Sequence, residues 1–141
     1  HKPKFDISST TVKDLNKNLK LIESSLQPYF YAAVCNHDIT QKAFKILKKK
    51  ELNIQNLGRL MNEHHHLLSK YLKITPPLMD KMIKAANKTG AFGSKIVGSG
   101  GGGCIVAIVQ NKNENQIIEA IKASGAEDAF AVKISKGASL K

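Results

Sequence analysis

The chain of 141 residues has one arginine, Arg59, no tryptophan and two cysteines, Cys35 and Cys104. Arginine and aromatic side chains carry most sequence-specific contacts and base stacking in nucleic-acid-binding proteins, so their scarcity argues against that class. Two cysteines outside a CxxC pair do not form a disulfide framework and indicate a reducing, cytoplasmic compartment. We expect both to be small, buried apolar side chains.

Long apolar runs are also missing. No run reaches the roughly 18–20 residues that a membrane-spanning helix needs, and the first residues show no signal-peptide pattern, so we expect no membrane partner. The chain begins abruptly at His1 rather than at a methionine, which indicates a fragment or a processed protein. With 42% hydrophobic residues, it has enough apolar side chains for the core of one domain over residues 1–141.

Positive charge dominates, with a formal net charge of +11. Such a balance is compatible with nucleic acid or with small phosphorylated ligands. The lysines are spread along the whole chain, so we interpret most of them as a solvated surface. The one tight cluster, at residues 48–50, is interpreted as cations that close the C-terminal end of a helix.

Apolar periodicity divides the chain into two parts. Over residues 1–90 the spacing predicts helices, and over residues 91–141 it predicts a β-loop-β-α-β order. The predicted helices cover residues 12–26, 28–50, from Asn53 to about 71, from the prolines at 76–77 to Gly90, and from Asn113 to Gly125. The predicted strands cover residues 95–97, 104–109 and 129–134. The fold class is therefore α+β, with helices packed on one face of a small, mainly antiparallel sheet. A fourth strand is expected upstream.

A glycine-rich loop lies between the first two predicted strands. Its dense glycines leave space above the main chain and make a candidate cradle of backbone N–H groups for an anion. A dinucleotide fingerprint requires a helix directly afterwards and a Walker loop requires Gly-Lys-Ser/Thr at its end, and neither is present. A mobile hairpin connection is the structural alternative. The candidate phosphate-binding residues are Gly98, Ser99, Gly100, Gly101, Gly102 and Gly103, with Lys95 as a mobile cation before them.

Other candidate sites are weaker. Three consecutive histidines, His64, His65 and His66, resemble a metal cluster, but successive helical residues point about 100° apart and do not share one face. We therefore expect no metal site, with one histidine facing the core and two facing solvent. No Ser-His-Asp or Cys-His arrangement is recognisable, and no residue of this chain is assigned as catalytic.

Two motifs resemble those of the GHMP kinases, the family of galactokinase, homoserine kinase, mevalonate kinase and phosphomevalonate kinase. Residues 57–65 read LGRLMNEHH, similar to the family's LGxLMNExH helix, and residues 90–104 read GAFGSKIVGSGGGGC, similar to its third motif, GAxGAKxTGAGGGGC. Residues 124–130, SGAEDAF, resemble the family's last passage from helix to strand. Val97 departs from the usual threonine, so a hydroxyl contact expected there is absent.

The resemblance implies the C-terminal, ferredoxin-like lobe of a two-lobe kinase that transfers phosphate from ATP, with Mg²⁺, to a hydroxyl of a small molecule. The PxxxGLGSSA phosphate loop and the base, usually an aspartate, would lie in an N-terminal lobe that is absent here. In the family the glycine loop comes close to the nucleotide phosphates and braces the N-terminal phosphate loop. This chain alone would be inactive, and the apolar face that the other lobe covers would favour self-association.

The acceptor is a sugar in our first interpretation, as in galactokinase, because the Asn-Glu-His-His helix and the overall length suit that type. A mevalonate kinase is the alternative, because its loop is likewise all glycine. A basic nucleic-acid-binding module and a stand-alone ligand-binding domain remain as further hypotheses. Nucleic-acid affinity that falls steeply with salt would favour the first of these hypotheses. A parent gene without a kinase lobe would favour the second.

Overall fold

The computed structural model describes residues 6, 9–135 and 137 of the chain. It contains five α-helices and two strands in the described residues. Their bounds are α1, Leu15–Leu19; α2, Gln27–Leu47; α3, Ile54–Lys70; α4, Pro77–Lys88; β1, Gly93–Ile96; β2, Ile105–Ile108; and α5, Glu114–Ala123. Short 3₁₀ turns at Val12–Asp14 and Asn111–Asn113 lead into α1 and α5.

The first helix is shorter than its apolar spacing predicts. Asp14 accepts hydrogen bonds from the amide and the hydroxyl of Thr11, which fixes the turn before α1. The helix ends at Leu19 instead of residue 26, so the longer prediction was wrong. The reason is local: the side chain of Gln27 donates to the carbonyls of Leu19 and Ile22, which takes the place of a further helical turn.

The next helices begin and end at residues that the sequence marks. Pro28 lies in the first turn of α2, and the Asn53 side chain accepts a hydrogen bond from the amide of Asn56 at the start of α3. The α2 helix ends at Leu47, just before the cluster of lysines at residues 48–50. Gly90, with φ +106°, follows the end of α4.

The sheet is antiparallel and two-stranded in the described part of the chain. Gly93 pairs with Ile108 and Ile96 with Ile105. The third predicted strand, at residues 129–134, was wrong: this segment forms no regular secondary structure and no ladder with β1 or β2. Its apolar side chains are exposed to solvent: the exposed fractions of Phe130, Val132 and Ile134 are 73%, 74% and 99%. Without a neighbouring strand its backbone groups have no ladder to join.

Helices α3 and α4 pack against β1, and α5 packs against α4. Leu68 of α3, Met79 of α4 and Ile96 of β1 share one apolar cluster. Ile117 and Ile121 of α5 pack with Ala86 of α4 in another. A third cluster lies between α1 and α2. The architecture is α+β, as the sequence indicates.

No helix in the described part of the chain is both long enough and apolar enough to cross a bilayer.

Candidate functional site

The glycine loop leaves β1, turns at the edge of the sheet and enters β2. Its base is closed by a hydrogen bond of 3.0 Å from the amide of Val97 to the carbonyl of Cys104. All five glycines of the loop have positive φ, for example +88° at Gly100 and +77° at Gly101. An L side chain rarely adopts such angles, so this course of the main chain requires glycine.

One side of the loop rests on the connection between α3 and α4. The amide of Gly101 donates to the carbonyl of Ile74 at 2.7 Å. A Cβ atom built at Gly100 would lie 2.7 Å from the same carbonyl oxygen, so a side chain there would displace the loop. Ile74 therefore holds the loop in place, and the Gly101 amide is already used in this contact.

The other side of the loop is open. A Cβ atom built at Gly98, Gly101, Gly102 or Gly103 would meet no atom within 4 Å apart from those of the adjoining residues in the chain. Within the described residues, the loop's backbone hydrogen bonds are those made by Val97 and Gly101. The amides of the remaining glycines donate no backbone hydrogen bond in the described part of the chain, so they are candidate donors to an anion.

Lys95 lies on β1, beside the loop. Its neighbours Ser94 and Ile96 are fully buried, whereas Lys95 is half-buried, because successive strand residues face opposite sides of a sheet. Its Nζ atom donates to the carbonyl of Ile96 at 2.6 Å, which draws the side chain toward the loop end of the strand. Burial lowers the pKa of the Lys95 ammonium group. Ser99, the other polar candidate, is exposed at the tip.

A buried polar network supports β1, and sequence reasoning missed it. The side-chain oxygen of Asn62 accepts from the Ser94 amide and from the Asn87 side chain, both at 2.9 Å. The Ser94 hydroxyl donates to the Asn87 side-chain oxygen at 2.8 Å. These bonds join α3, α4 and β1. The only available signal was the asparagine within the LMNE sequence, which does not reveal its partners.

Close packing of two glycines brings α3 onto β1. A Cβ atom at Gly58 would lie 2.4 Å from the carbonyl carbon of Phe92, and one at Gly93 would lie 1.9 Å from the carbonyl oxygen of Gly58. Only residues without side chains permit this approach of a helix to a strand. The position of the strand that leads into the loop depends on this contact.

The three histidines have three different environments. His65 is buried, and its Nε2 atom lies 2.9 Å from Asp80, which also accepts from the Ser69 hydroxyl at 2.9 Å. These contacts of Asp80 link α3 to α4, the two helices that the segment containing Ile74 connects. His66 is exposed, as expected, but His64 is half-buried, so the prediction of two solvent-facing histidines was wrong. Burial lowers the pKa of His64, and the neighbouring charges of Lys95 and His65 add to the effect.

The two cysteines also differ. Cys35 is half-buried on α2, and burial raises the pKa of its thiol. Cys104 is exposed, so the prediction of a buried side chain was wrong there. It lies at the exit of the loop, before the strand enters the apolar core, and this position leaves its side chain in contact with solvent.

Residues for a divalent cation are not gathered at the loop. The segment 90–110 contains no aspartate or glutamate. Among the described residues, no three His, Cys, Asp or Glu side chains stand close enough together to hold a metal ion. Mg²⁺ prefers carboxylate and phosphate oxygens, so the side chains of this chain do not fit an Mg²⁺ site at the loop. The open, side-chain-free loop fits a phosphate group better.

A cavity of about 470 Å³ lies between α2 and α3. It is lined mainly by apolar side chains, including Tyr31, Ile39 and Leu67, and by none of the loop residues. It does not combine the open amides and the cation found at the loop. The loop is therefore the better candidate site.

Several known proteins are similar to this chain in sequence or in fold. A sequence model described as "GHMP kinases C terminal" matches residues 42–127, a range that contains α3, α4, both strands and the loop. Galactokinase from Dictyostelium discoideum is 38% identical over 68 residues, which cover 48% of this chain and 14% of that protein. Mevalonate kinase from Thermococcus sibiricus is 41% identical over 76 residues, covering 54% of this chain and 22% of that protein.

The crystal structure of Lactococcus lactis galactokinase complexed with galactose is similar in fold. It superposes with a TM-score of 0.77 and 25% identity, over 84% of this chain and 31% of that chain. This chain thus spans less than a third of the length of each of these three proteins.

Proposed function

Because this chain belongs to the GHMP kinase family, of which it matches the C-terminal domain, we propose that it forms the C-terminal lobe of an ATP-dependent small-molecule kinase. The observation that carries this proposal is the open glycine loop at the end of β1. Its N–H groups suit the β- and γ-phosphates of a nucleotide because a phosphate approaches a main chain without side chains most closely. ATP would supply the phosphoryl group that is transferred.

The loop's contribution is positional and electrostatic. Phosphoryl transfer depends mostly on alignment of the reacting groups and on stabilisation of charge on the phosphoryl oxygens. We propose the amides of Gly98, Gly100, Gly102 and Gly103 as donors to the phosphates, with Lys95 as an additional cation. Gly101, whose amide is bonded to Ile74, keeps the loop close to the helices. Ser99 offers a hydroxyl at the exposed tip.

Neither the base nor the Mg²⁺ ligands are assigned to this chain. The family resemblance places them in an N-terminal lobe, and the three proteins compared above are at least three times as long as the part that this chain covers. We propose that a lobe of the same protein packs against this domain. The exposed apolar segment around Phe130 and Val132 is a surface that such a lobe would cover. In the isolated chain this surface would favour self-association.

We propose a sugar as the phosphate acceptor, with the galactokinases as the nearest functional type. The similarity to the galactose complex of the Lactococcus enzyme supports this choice. The alternative is a mevalonate kinase-type enzyme, which the similarity to the Thermococcus enzyme supports. The enzyme is expected to act in the cytoplasm.

The test uses the product of the complete gene. ADP release from ATP is measured with galactose and with mevalonate as acceptors, and the phosphorylated product is identified by mass spectrometry. Phosphorylated galactose supports the first proposal, and phosphorylated mevalonate supports the alternative. A complete gene that encodes no PxxxGLGSSA segment upstream of this domain, or a full-length protein that consumes ATP with neither acceptor, would contradict the proposal of a galactose or mevalonate kinase.

A further inference from the structure

The connection between α3 and α4, residues 71–76, carries the support of the glycine loop. The carbonyl of Ile74 accepts from the Gly101 amide at 2.7 Å, and the Ile74 amide donates to the carbonyl of Leu68 on α3 at 3.2 Å. A Cβ atom at Gly100 would lie 2.7 Å from the Ile74 carbonyl oxygen and 2.9 Å from the Ile74 Cβ atom, so the loop rests directly on this residue. The position of Ile74 therefore sets the position of the loop.

This connection has a backbone conformation that must be held from outside. Lys73, directly before Ile74, has a φ of +54° and is the non-glycine residue with positive φ among the described residues. Side chains rarely adopt such an angle, and it persists where the surrounding structure imposes it. Contacts at the two ends of the connection are consequently needed to keep Ile74 in place.

Asp80, in the first turn of α4, supplies these contacts. Its Oδ1 atom lies 2.9 Å from Nε2 of His65, and its Oδ2 atom accepts from the Ser69 hydroxyl at 2.9 Å. A carboxylate only accepts, so Nε2 of His65 carries the proton that is donated. The backbone amide of Asp80 donates to the carbonyl of Pro76 at 3.2 Å. Asp80 thus ties the start of α4 both to α3 and to the end of the connection.

The two side-chain bonds of Asp80 fix α4 more narrowly than apolar packing does. His65 and Ser69 are one helical turn apart and lie on one face of α3. His65 is buried and its Nδ1 atom has no partner in the described part of the chain, so the bond to Asp80 orients the ring. The neighbouring contact of Met79 with Leu68 is apolar and tolerates small shifts, whereas hydrogen bonds are directional.

We propose that Asp80, held by His65 and Ser69, is a positioning residue for the glycine loop. It fixes the connection from which the Ile74 carbonyl holds Gly101, and it acts through that connection rather than by contact with the ligand. The anchoring of the loop rests on contacts within this chain, whereas its consequence for nucleotide binding rests on the proposed function.

Hydrogen exchange of the Gly101 amide, measured by NMR on this chain, tests the anchoring. Asp80→Ala removes both acceptors, so the connection loosens and the Gly101 amide should exchange about tenfold faster, as for the loss of one hydrogen bond. Asp80→Asn keeps the shape, an acceptor for His65 and a donor for Ser69, and should stay within about twofold of wild type. Wild-type exchange of Gly101 in Asp80→Ala would overturn the proposal.

Two controls separate this effect from loss of charge and from loss of stability. Asp38→Ala removes a carboxylate from a solvent-accessible ion pair with Lys42 on α2. Ile117→Val weakens the apolar contact between α5 and α4, away from the connection. Both should leave the exchange of Gly101 within about twofold of wild type. An acceleration in either control equal to that in Asp80→Ala would overturn the proposal.

Ser69→Ala takes the place of Asp80→Ala if the latter does not fold. It removes one of the two bonds and leaves His65 paired with Asp80, so Gly101 should exchange about threefold faster. An unchanged rate in folded Ser69→Ala would overturn the proposal.

Steady-state kinetics of the full-length protein distinguish positioning from general damage. A variant that only loses folded enzyme has a lower kcat and an unchanged KM, whereas a misplaced phosphate loop raises the KM for ATP. Asp80→Ala should raise this KM about tenfold, and Asp80→Asn should restore it. A lower kcat with an unchanged KM would show a merely structural role and would overturn the inference.

The two measurements also separate this inference from the proposed function. If Gly101 exchanges faster in Asp80→Ala while both kinetic constants keep their wild-type values, the anchoring stands and the loop's role in phosphate binding fails. If Gly101→Val abolishes activity while Asp80→Ala changes neither the exchange nor the KM, the loop's role stands and this inference fails.

Discussion

The side-chain oxygen of Asn62 accepts a hydrogen bond of 2.9 Å from the backbone amide of Ser94, which joins the middle of α3 to the strand that leads into the glycine loop. Ser94 is fully buried and pairs across the sheet with Ala107, so its amide needs a partner away from water. Asn62 supplies that partner and also bonds Asn87 of α4. One amide side chain thereby fixes the relative positions of three elements.

Replacing Asn62 with alanine should destabilise the domain strongly. The substitution leaves the Ser94 amide and the Asn87 side chain without this partner, and each buried polar group left unpaired costs about 1–3 kcal/mol. We expect the free energy of unfolding, measured by urea denaturation, to fall by about 3 kcal/mol.

The control is Asn56→Ala, an exposed position in the first turn of the same helix. It should change the free energy of unfolding by less than about 0.5 kcal/mol. If Asn62→Ala were as mild as Asn56→Ala, the hydrogen bond to Ser94 would not be needed to hold β1.

Gly58→Ala should also destabilise, against the usual trend for helices. In an exposed helix, alanine is favoured over glycine by about 1 kcal/mol. Here the new Cβ atom would lie 2.4 Å from the Phe92 carbonyl carbon, so helix and strand must separate. Overpacking of this kind costs about 1–3 kcal/mol, and we expect a lower midpoint of thermal unfolding. A midpoint that rises would contradict the close approach of α3 to β1.

The pH dependence of stability should contain a contribution from His64. Burial and the charge of Lys95 lower its pKa in the folded protein, whereas the unfolded chain has the ordinary value of about 6.5. The unfolded state then binds more protons than the folded state as the pH falls below that value. This contribution is fully present above about pH 6.5 and is lost as the pH falls through the folded pKa.

Urea denaturation of the wild type and of His64→Gln at pH 7 and pH 5 measures this effect. The variant should lose less stability between the two pH values than the wild type does. His66→Gln, at an exposed position, should keep the wild-type dependence. Asp14 and Asp128 have pKa values lowered below the ordinary aspartate range, so their contributions change at more acidic pH. An unchanged pH dependence in His64→Gln would contradict the half-buried position of His64.

The two cysteines should react at different rates with iodoacetamide. Cys104 is exposed, whereas Cys35 is half-buried with a thiol pKa that burial raises. The thiolate is the reacting form, so we expect Cys104 to be alkylated about tenfold faster at neutral pH. Peptide mass spectrometry after timed quenching gives both rates, and the two should converge in urea. Faster modification of Cys35 in the folded chain would be inconsistent with this arrangement.

The sequence predicts those features that depend on local patterns. Apolar spacing and the residues Asn53, Pro28 and Gly90 locate α2, α3 and α4 well, because helix ends are encoded by nearby residues. Prediction from the sequence fails where a side chain takes the place of a backbone hydrogen-bond partner. Gln27 ends α1 early because its side chain donates to the carbonyls of Leu19 and Ile22.

The sequence predicts the glycine loop of the candidate site, but not the contacts that hold this loop in position. The glycine run and Lys95 are visible in the sequence, whereas the contacts that position them join residues that are distant in sequence, such as Asn62 with Ser94 and Gly101 with Ile74. The predicted strand at residues 129–134 has the right composition, yet pairing requires a neighbouring strand, and β1 and β2 do not supply one. Composition alone cannot reveal whether that neighbour is present.

ATP-dependent phosphorylation of the acceptor by the full-length protein, compared between wild type and Gly101→Val, tests the central proposal most directly. A valine there has room in this domain, since nothing lies within 4 Å, but it projects into the space proposed for the phosphates and disfavours the φ of +77°. Gly90→Ala controls for positive-φ strain away from the loop; its Cβ atom would meet only the end of the Asn113 side chain, at 2.9 Å, which can turn aside. We predict a fall in kcat/KM for ATP of about 100-fold or more for Gly101→Val, with Gly90→Ala near wild type. Equal activity of Gly101→Val and wild type would contradict a phosphate-binding role for the loop.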